Sequence, residues 1–311
     1  MNAPAIPRVA RAGQSPGTPR RWSVFGASRL VVWQAGCVID LAGQVVVVTG
    51  AGRGLGEAYA RLLAARGAHV AVHDGGVDRD GSGSDAGPAQ AVAGAIADAG
   101  GRASVHVQNL ATRHGCEELI AEVLTEHGRI DALVHNAGIV RYHGISEATA
   151  DEYNATMAIN ADAAWWLCSA VWPLMRTQRY DRIVLTTSDF GLRAIDGADV
   201  AAYSVSKGAQ FGLMNALAGE GRSYGILVNA ICPVAATRIF RRTVQPQELT
   251  PASVAPGVAM LVSRECPFTG KVLRAAGGEW KIYQVTAVRQ GDLGSDASPE
   301  DVLAWATRPP A

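Results

Sequence analysis

The segment QVVVVTGAGRGLG, Gln44 to Gly56, constrains this chain more than any other. Four consecutive valines leave no polar face, so the strand they form must be buried on both sides, as in a parallel sheet covered by helices. The strand stops at Thr-Gly, and a helical pattern follows at once in AGRGLGEAYARLLAARG, with Gly67 as its stop. Gly50, Gly54 and Gly56 stand at the turn between them. Glycine is needed where the backbone turns sharply and lies close to a bulky anion. The helix N-terminus behind the turn offers free N–H groups and a positive dipole. A glycine triplet alone says little. One that ends a buried strand and opens a helix inside a βαβ unit reads as a cradle for a dinucleotide pyrophosphate.

Strand and helix then alternate about six times. AHVAVHD, RASVHVQNL, IDALVHNAG, RIVLTTS and GILVNAICP read as strands. QAVAGAIADAG, CEELIAEVLTEHG, the long stretch YNATMAINADAAWWLCSAVWPLM and the segment holding YSVSK read as helices. The expected fold is α/β, a single doubly wound (Rossmann) parallel sheet with helices on both faces, over residues 40–285. Residues 1–39 carry five arginines, four prolines and no acid. They are expected to be a disordered extension, a transit-peptide-like leader being the other reading. Residues 286–311 are expected to be a polar tail with one short helix, Pro299 to Trp305.

Composition removes several function classes. The 28 acidic and 28 basic residues cancel, so there is no electrostatic footprint for nucleic acid or an anionic membrane. No apolar run is long enough to span a bilayer. The five cysteines are scattered without a C-x-x-C, which suits packing in a reducing cytoplasm. The seven histidines show no ligand spacing, so no metal is expected.

Asp74 ends the second strand, 18 residues after Gly56. A carboxylate there can bond the adenosine ribose hydroxyls and repel a 2′-phosphate, which favours NAD over NADP. Arg53 argues the other way, since a guanidinium can meet that phosphate. In YSVSK, Tyr203 and Lys207 are four residues apart and share one helix face. A free phenol ionises near pH 10, so proton transfer at neutral pH calls for a nearby cation. Lysine is scarce here, with three in the whole chain. Ser188 ends the strand RIVLTTS, at the sheet edge where open α/β folds bind ligands. Asn136, Ala137 and Gly138 close another strand at that edge, and Asn160 lies in the following helix. Ser188 as a helix cap, Asn136 as a turn former and Asn160 as a satisfied core amide are the structural alternatives.

In this order the motifs TGAGRGLG, NAG, Asn160, Ser188, YSVSK and NAICP resemble the short-chain dehydrogenases/reductases, over roughly four fifths of the chain. The resemblance implies an NAD(P)-dependent oxidoreductase acting on CH–OH groups. Tyr203 would be the proton donor and acceptor, and Lys207 would lower its pKa and hold the nicotinamide ribose. Ser188 would polarise the substrate oxygen, and Asn160 would anchor a water in a proton relay. Leu55, Asn109, Leu110, Pro233 and Thr237 would line the cofactor cleft with the glycines, Arg53, Asp74 and Asn136 to Gly138.

HDGGVDRDGSGSDAGPAQAV, TVQPQELTPASVAPGVAML and FTGKVLRAAGGEWKIYQV narrow the likeness to the (3R)-hydroxyacyl-CoA dehydrogenase part of peroxisomal-type multifunctional enzymes and its free-standing bacterial relatives. The implied substrate is a 3-hydroxyacyl thioester. A secondary-metabolite, steroid-like or cyclic ketone is the alternative, and an inert dinucleotide-binding regulatory protein is the reading from another class. Asp189, Asp196 and Asp199 are expected near the mouth of the site, where they would oppose an anionic thioester. Arg238, Arg241 and Arg242 would either meet CoA phosphates or remain solvated. A homodimer or homotetramer is implied, built through the two long helices.

Overall fold

The computed structural model describes residues 38–76, 83–237 and 249–308. Most of the expected leader, the middle of the Gly/Ser/Asp loop and Arg238, Arg241 and Arg242 lie outside the described residues. From Asp40 onward the chain forms one compact unit. Its strands and helices run β1 (Val45–Thr49), α1 (Gly54–Ala65), β2 (His69–His73), α2 (Gly87–Asp98), β3 (Arg102–His106), α3 (Arg113–His127) and β4 (Ala132–His135). There follow α4 (Ala150–Met157), α5 (Ala163–Gln178), β5 (Asp181–Thr186), α6 (Asp189–Leu192), α7 (Ala201–Glu220) and β6 (Ile226–Val234). The last elements are α8 (Ala255–Val262), β7 (Val272–Ala276), β8 (Glu279–Tyr283) and α9 (Pro299–Thr307).

One sheet in the order β3-β2-β1-β4-β5-β6-β7-β8 contains all eight strands. Every pairing is parallel except β7 with β8. The fold is therefore the expected doubly wound one, with an added antiparallel edge. Gly277 and Gly278, both at positive φ, make the tight hairpin that reverses the chain there. The expected long helix is also interrupted. A π-turn over Ala158–Asp162 separates α4 from α5 and carries Asn160, a device common at functional positions.

The valines of β1 are buried on both faces, as their composition demands. Val45 and Val47 join Leu119, Leu167 and Met214 in a core beneath α3, α5 and α7. Successive strand residues point to opposite faces, so Val46 and Val48 face the other layer, where α1 packs against α2 and α8. Each fully buried valine contributes roughly 1.5–3 kcal/mol, enough to fix the register against a one-residue slip. Sequence order reverses between β1 and β4. The crevice beyond the carboxyl ends of those strands is the binding site the fold provides.

Candidate active site

Two strand-end turns meet at this crevice. Asn136 Nδ2 donates to the carbonyls of Thr49 (3.2 Å) and Gly50 (3.1 Å), and Thr49 Oγ1 accepts from the backbone N–H of Asn136 and Ala137. Gly50, at φ +64, passes so close to Ala137 that a Cβ would lie 2.8 Å from its Cα. Gly54, at φ +58, faces Thr237 across the cleft, 3.6 Å from where its Cβ would stand. The opening left by these glycines suits a pyrophosphate at the N-terminus of α1.

A cleft of about 860 Å³ runs from this cradle to the catalytic candidates. Gly50, Arg53, Gly54 and Leu55 line its floor, with Asp74, Asn109 and Leu110 at one end. Asn136, Ala137, Gly138, Pro233 and Thr237 line its middle, and Ser188, Tyr203 and Lys207 its far wall. Two expected site residues are not on the wall. Gly56 lies behind the turn, where a Cβ would overlap the Gly50 carbonyl. Asn160 is fully buried.

Both polar atoms of the Asn160 side chain have partners. Oδ1 accepts from Ile139 N (2.9 Å), and Nδ2 donates to Ile139 O (2.9 Å) and Ser206 Oγ (2.9 Å). Its backbone carbonyl accepts from Gln210 Nε2 at 2.5 Å. Through these bonds Asn160 positions the Gly138 turn against α7.

Ser188 caps α6, accepting from Phe190 N at 3.4 Å. Burial pushes the Tyr203 phenol up to about 12, with the nearby Ser188 hydroxyl working against the rise. Burial also pushes Lys207 down to about 7. Its ammonium donates to the Thr186 carbonyl at 2.7 Å and stands 5.6 Å from the centre of the Tyr203 ring. Among the neighbours of Tyr203 it is Ser188 that works against the rise, while Lys207, with one of its three donors on Thr186, keeps two more for the cleft.

Asp74 accepts from Gly52 N and Gly76 N, both at 2.8 Å, one to each oxygen. A carboxylate has about four acceptor positions, so capacity remains for a ribose. Asp189 departs from expectation. It is absent from the cleft wall, and its Oδ2 accepts from Arg274 Nε (3.0 Å) and Arg193 Nη2 (3.3 Å). Burial raises its carboxyl pKa, but those two guanidiniums outweigh burial and leave it below the ordinary range. Asp196 and Asp199 do line the mouth. Sequence reasoning missed the apolar flank of Tyr142, Phe190 and Ile195, which no motif marks. It also missed Ser206, although that residue lies inside YSVSK and links Asn160 to the Tyr203 carbonyl.

The short chain dehydrogenase family model matches residues 44–248. The chain belongs to the short-chain dehydrogenase/reductase family. It is thus an NAD(P)-binding oxidoreductase acting on CH–OH groups. It is 38% identical over 269 residues to a short-chain type dehydrogenase/reductase of Mycobacterium tuberculosis, covering 85% of this chain and 93% of that one. It is 37% identical over 240 residues to the peroxisomal multifunctional enzyme type 2 of Mus musculus, covering 76% of this chain and 32% of the relative. The chain thus spans about a third of that larger protein. An acetoacetyl-CoA reductase of Shinella zoogloeoides is 32% identical over 254 residues, covering 77% of this chain and 99% of the relative. Among solved structures, a short chain dehydrogenase from Mycobacterium avium superposes with a TM-score of 0.76 at 33% identity, covering 87% of this chain and 97% of that one. A metagenomic short-chain oxidoreductase in complex with NADP superposes with a TM-score of 0.62 at 32% identity, covering 74% and 95%. Among the described residues, no helix is long and apolar enough to cross a membrane.

Proposed function

We propose that the protein interconverts a secondary alcohol and its ketone with NAD(H), and that the substrate is a 3-hydroxyacyl or 3-ketoacyl thioester. The observation that carries the reaction is the convergence of Ser188, Tyr203 and Lys207 on one wall of the cleft that opens from the glycine turn. The glycine turn, Asp74 and Thr237 would hold a nicotinamide dinucleotide, which would supply or take up the hydride at the substrate carbon. In the reducing direction Ser188 holds the carbonyl oxygen, and Tyr203, a neutral phenol at physiological pH, donates its proton to that oxygen as the carbon gains hydride. Lys207 passes a proton to the phenolate left behind and regains one from solvent, which restores the neutral phenol. Oxidation reverses each movement. Asn160 acts as a positioning residue through Ile139 and Ser206.

NAD rather than NADP follows from Asp74, whose negative charge at the ribose end of the cleft opposes a 2′-phosphate. Arg53 lines the same cleft and limits that preference. The thioester reading is supported by the likeness to the acetoacetyl-CoA reductase and by the removal of Asp189 from the acidic rim. A free hydrophobic ketone is the second reading, favoured by Asp196 and Asp199 beside Tyr142, Phe190 and Ile195. The protein is proposed to work in the cytoplasm as a homodimer or homotetramer built through α5 and α7, where Trp165 and Val205 are exposed. The deciding experiment follows NADH consumption with acetoacetyl-CoA and with cyclic and steroid ketones. Higher kcat/KM for the thioester supports the first reading, and turnover of the free ketones alone replaces it with the second.

A further inference from the structure

At the opposite end of the sheet from the cleft, His69 opens β2 while Glu126 and His127 close α3. One ring nitrogen from each histidine and a Glu126 carboxylate oxygen all lie within 4.8 Å of one another. Among the described residues this is the one group of three His, Cys, Asp or Glu side chains drawn so close. The two imidazoles stand 4.0 Å apart, centre to centre, and inclined at 48°. His69 Nε2 is shielded from solvent and has no hydrogen-bond partner. An orphaned imidazole nitrogen costs roughly 1–3 kcal/mol, and a metal ion is one partner that would satisfy it. His127 Nε2 is held loosely, 3.5 Å from Glu126 Oε1 and 3.4 Å from Ser104 Oγ.

We infer that His69, Glu126 and His127 form a binding site for a divalent transition-metal ion of the zinc type. Two imidazoles and one carboxylate are a ligand set zinc takes, with water in the fourth position. At Zn–N distances near 2.0–2.1 Å, donors in a tetrahedron are about 3.4 Å apart, so small side-chain rotations close the site. A second shell is already in place. His106, almost fully buried, approaches Glu126 Oε2 (3.9 Å) and bonds Glu122 Oε2 (3.2 Å), and Ser104 Oγ bridges His106 Nε2 (3.0 Å) to His127. Partners of this kind orient ligands and tune affinity. The opposing cation nearby, Arg102, is turned to the Gly67 carbonyl at 3.2 Å, while Glu122 and Glu126 supply negative charge.

The ion has a structural task. His69 and the cleft residue His73 sit at opposite ends of β2, about 13 Å apart along the strand, so a metal at His69 does not reach the reacting atoms. It would clamp the start of β2 to the end of α3. Sequence spacing hides the site, because His69 and His127 come together only when the sheet forms.

Tag-free protein, stripped by a chelator and dialysed into metal-free buffer, would be titrated with Zn²⁺ by calorimetry and heated with and without the ion. The site requires about one equivalent of saturable binding and a higher Tm for the wild type with Zn²⁺. Glu126→Gln, at a half-exposed position, and His69→Asn should each weaken binding at least tenfold and remove the Tm gain. NADH binding should stay at the wild-type level in both. Wild-type protein without saturable Zn²⁺ binding overturns the inference. So does binding that survives both substitutions unchanged, since the ion then sits elsewhere.

Discussion

Replacing Lys207 by methionine should make the cofactor-free protein more stable while abolishing its turnover. Lys207 is almost fully enclosed, and burial holds it at about 7 against an ordinary lysine value near 10.5. At 1.36 kcal/mol per tenfold change in proton affinity, carrying the ammonium into the fold costs about 5 kcal/mol. Methionine removes that cost but leaves the Thr186 carbonyl without the 2.7 Å donor it has in the wild type. An unsatisfied carbonyl costs about 1–3 kcal/mol, so the net gain should be about 2–4 kcal/mol near neutral pH. The sign with pH is set by the folded value lying below the unfolded one. The wild type bears the whole penalty below about pH 7, and less of it as pH rises. Above about 10.5, where the unfolded chain is also deprotonated, none remains. Urea denaturation at about pH 6.5, 8 and 9.5 should therefore show the variant's advantage shrinking steadily. A variant less stable than wild type at pH 6.5, or an advantage that does not change with pH, would refute the picture of a strained lysine kept for its chemistry.

Asp74→Ala should narrow the preference for NAD over NADP, read as the ratio of the two kcat/KM values; a wild type that favours NADP would remove Asp74 from that role. Gly56→Ala forces a Cβ into the Gly50 carbonyl and should destabilise the protein by about 1–3 kcal/mol while weakening NADH binding in fluorescence titrations. Arg274→Ala strips Asp189 of its 3.0 Å partner and should cost about 1–3 kcal/mol at neutral pH. Because Asp189 is held below the ordinary carboxylate range, that loss should be full above the unfolded carboxylate pKa and fade as pH falls below it.

Much of the fold could be read directly from residue patterns. The valine run, the glycine turn and the strand-helix alternation each state a local preference that the tertiary structure does not override, and the switch point between β1 and β4 follows from their order. The β7–β8 hairpin escaped because RAAGGEW alternates weakly, and its Gly-Gly turn was not used as a signal. The break at Asn160 was invisible because AINADAA has ordinary helical composition. The partners of Asn160 in the π-turn, Ile139 and Ser206, lie 21 and 46 residues away along the chain. Tyr203, Lys207 and Ser188 were legible because their chemistry is tied to short motifs. The Asp189–Arg274 pair was not, since its members lie on different elements and meet only through the β6–β7 edge.

In the proposed reaction Tyr203 transfers the proton and is not needed to hold the dinucleotide. Tyr203→Phe keeps the ring and its packing and removes only the hydroxyl beside Ser188. NADH affinity, measured by fluorescence titration, should stay within about twofold of wild type, while kcat with the best ketone of the panel should fall by at least about 10²-fold, the low end for general acid catalysis. Turnover retained at a tenth of wild type or more, or NADH binding lost along with turnover, would contradict the account.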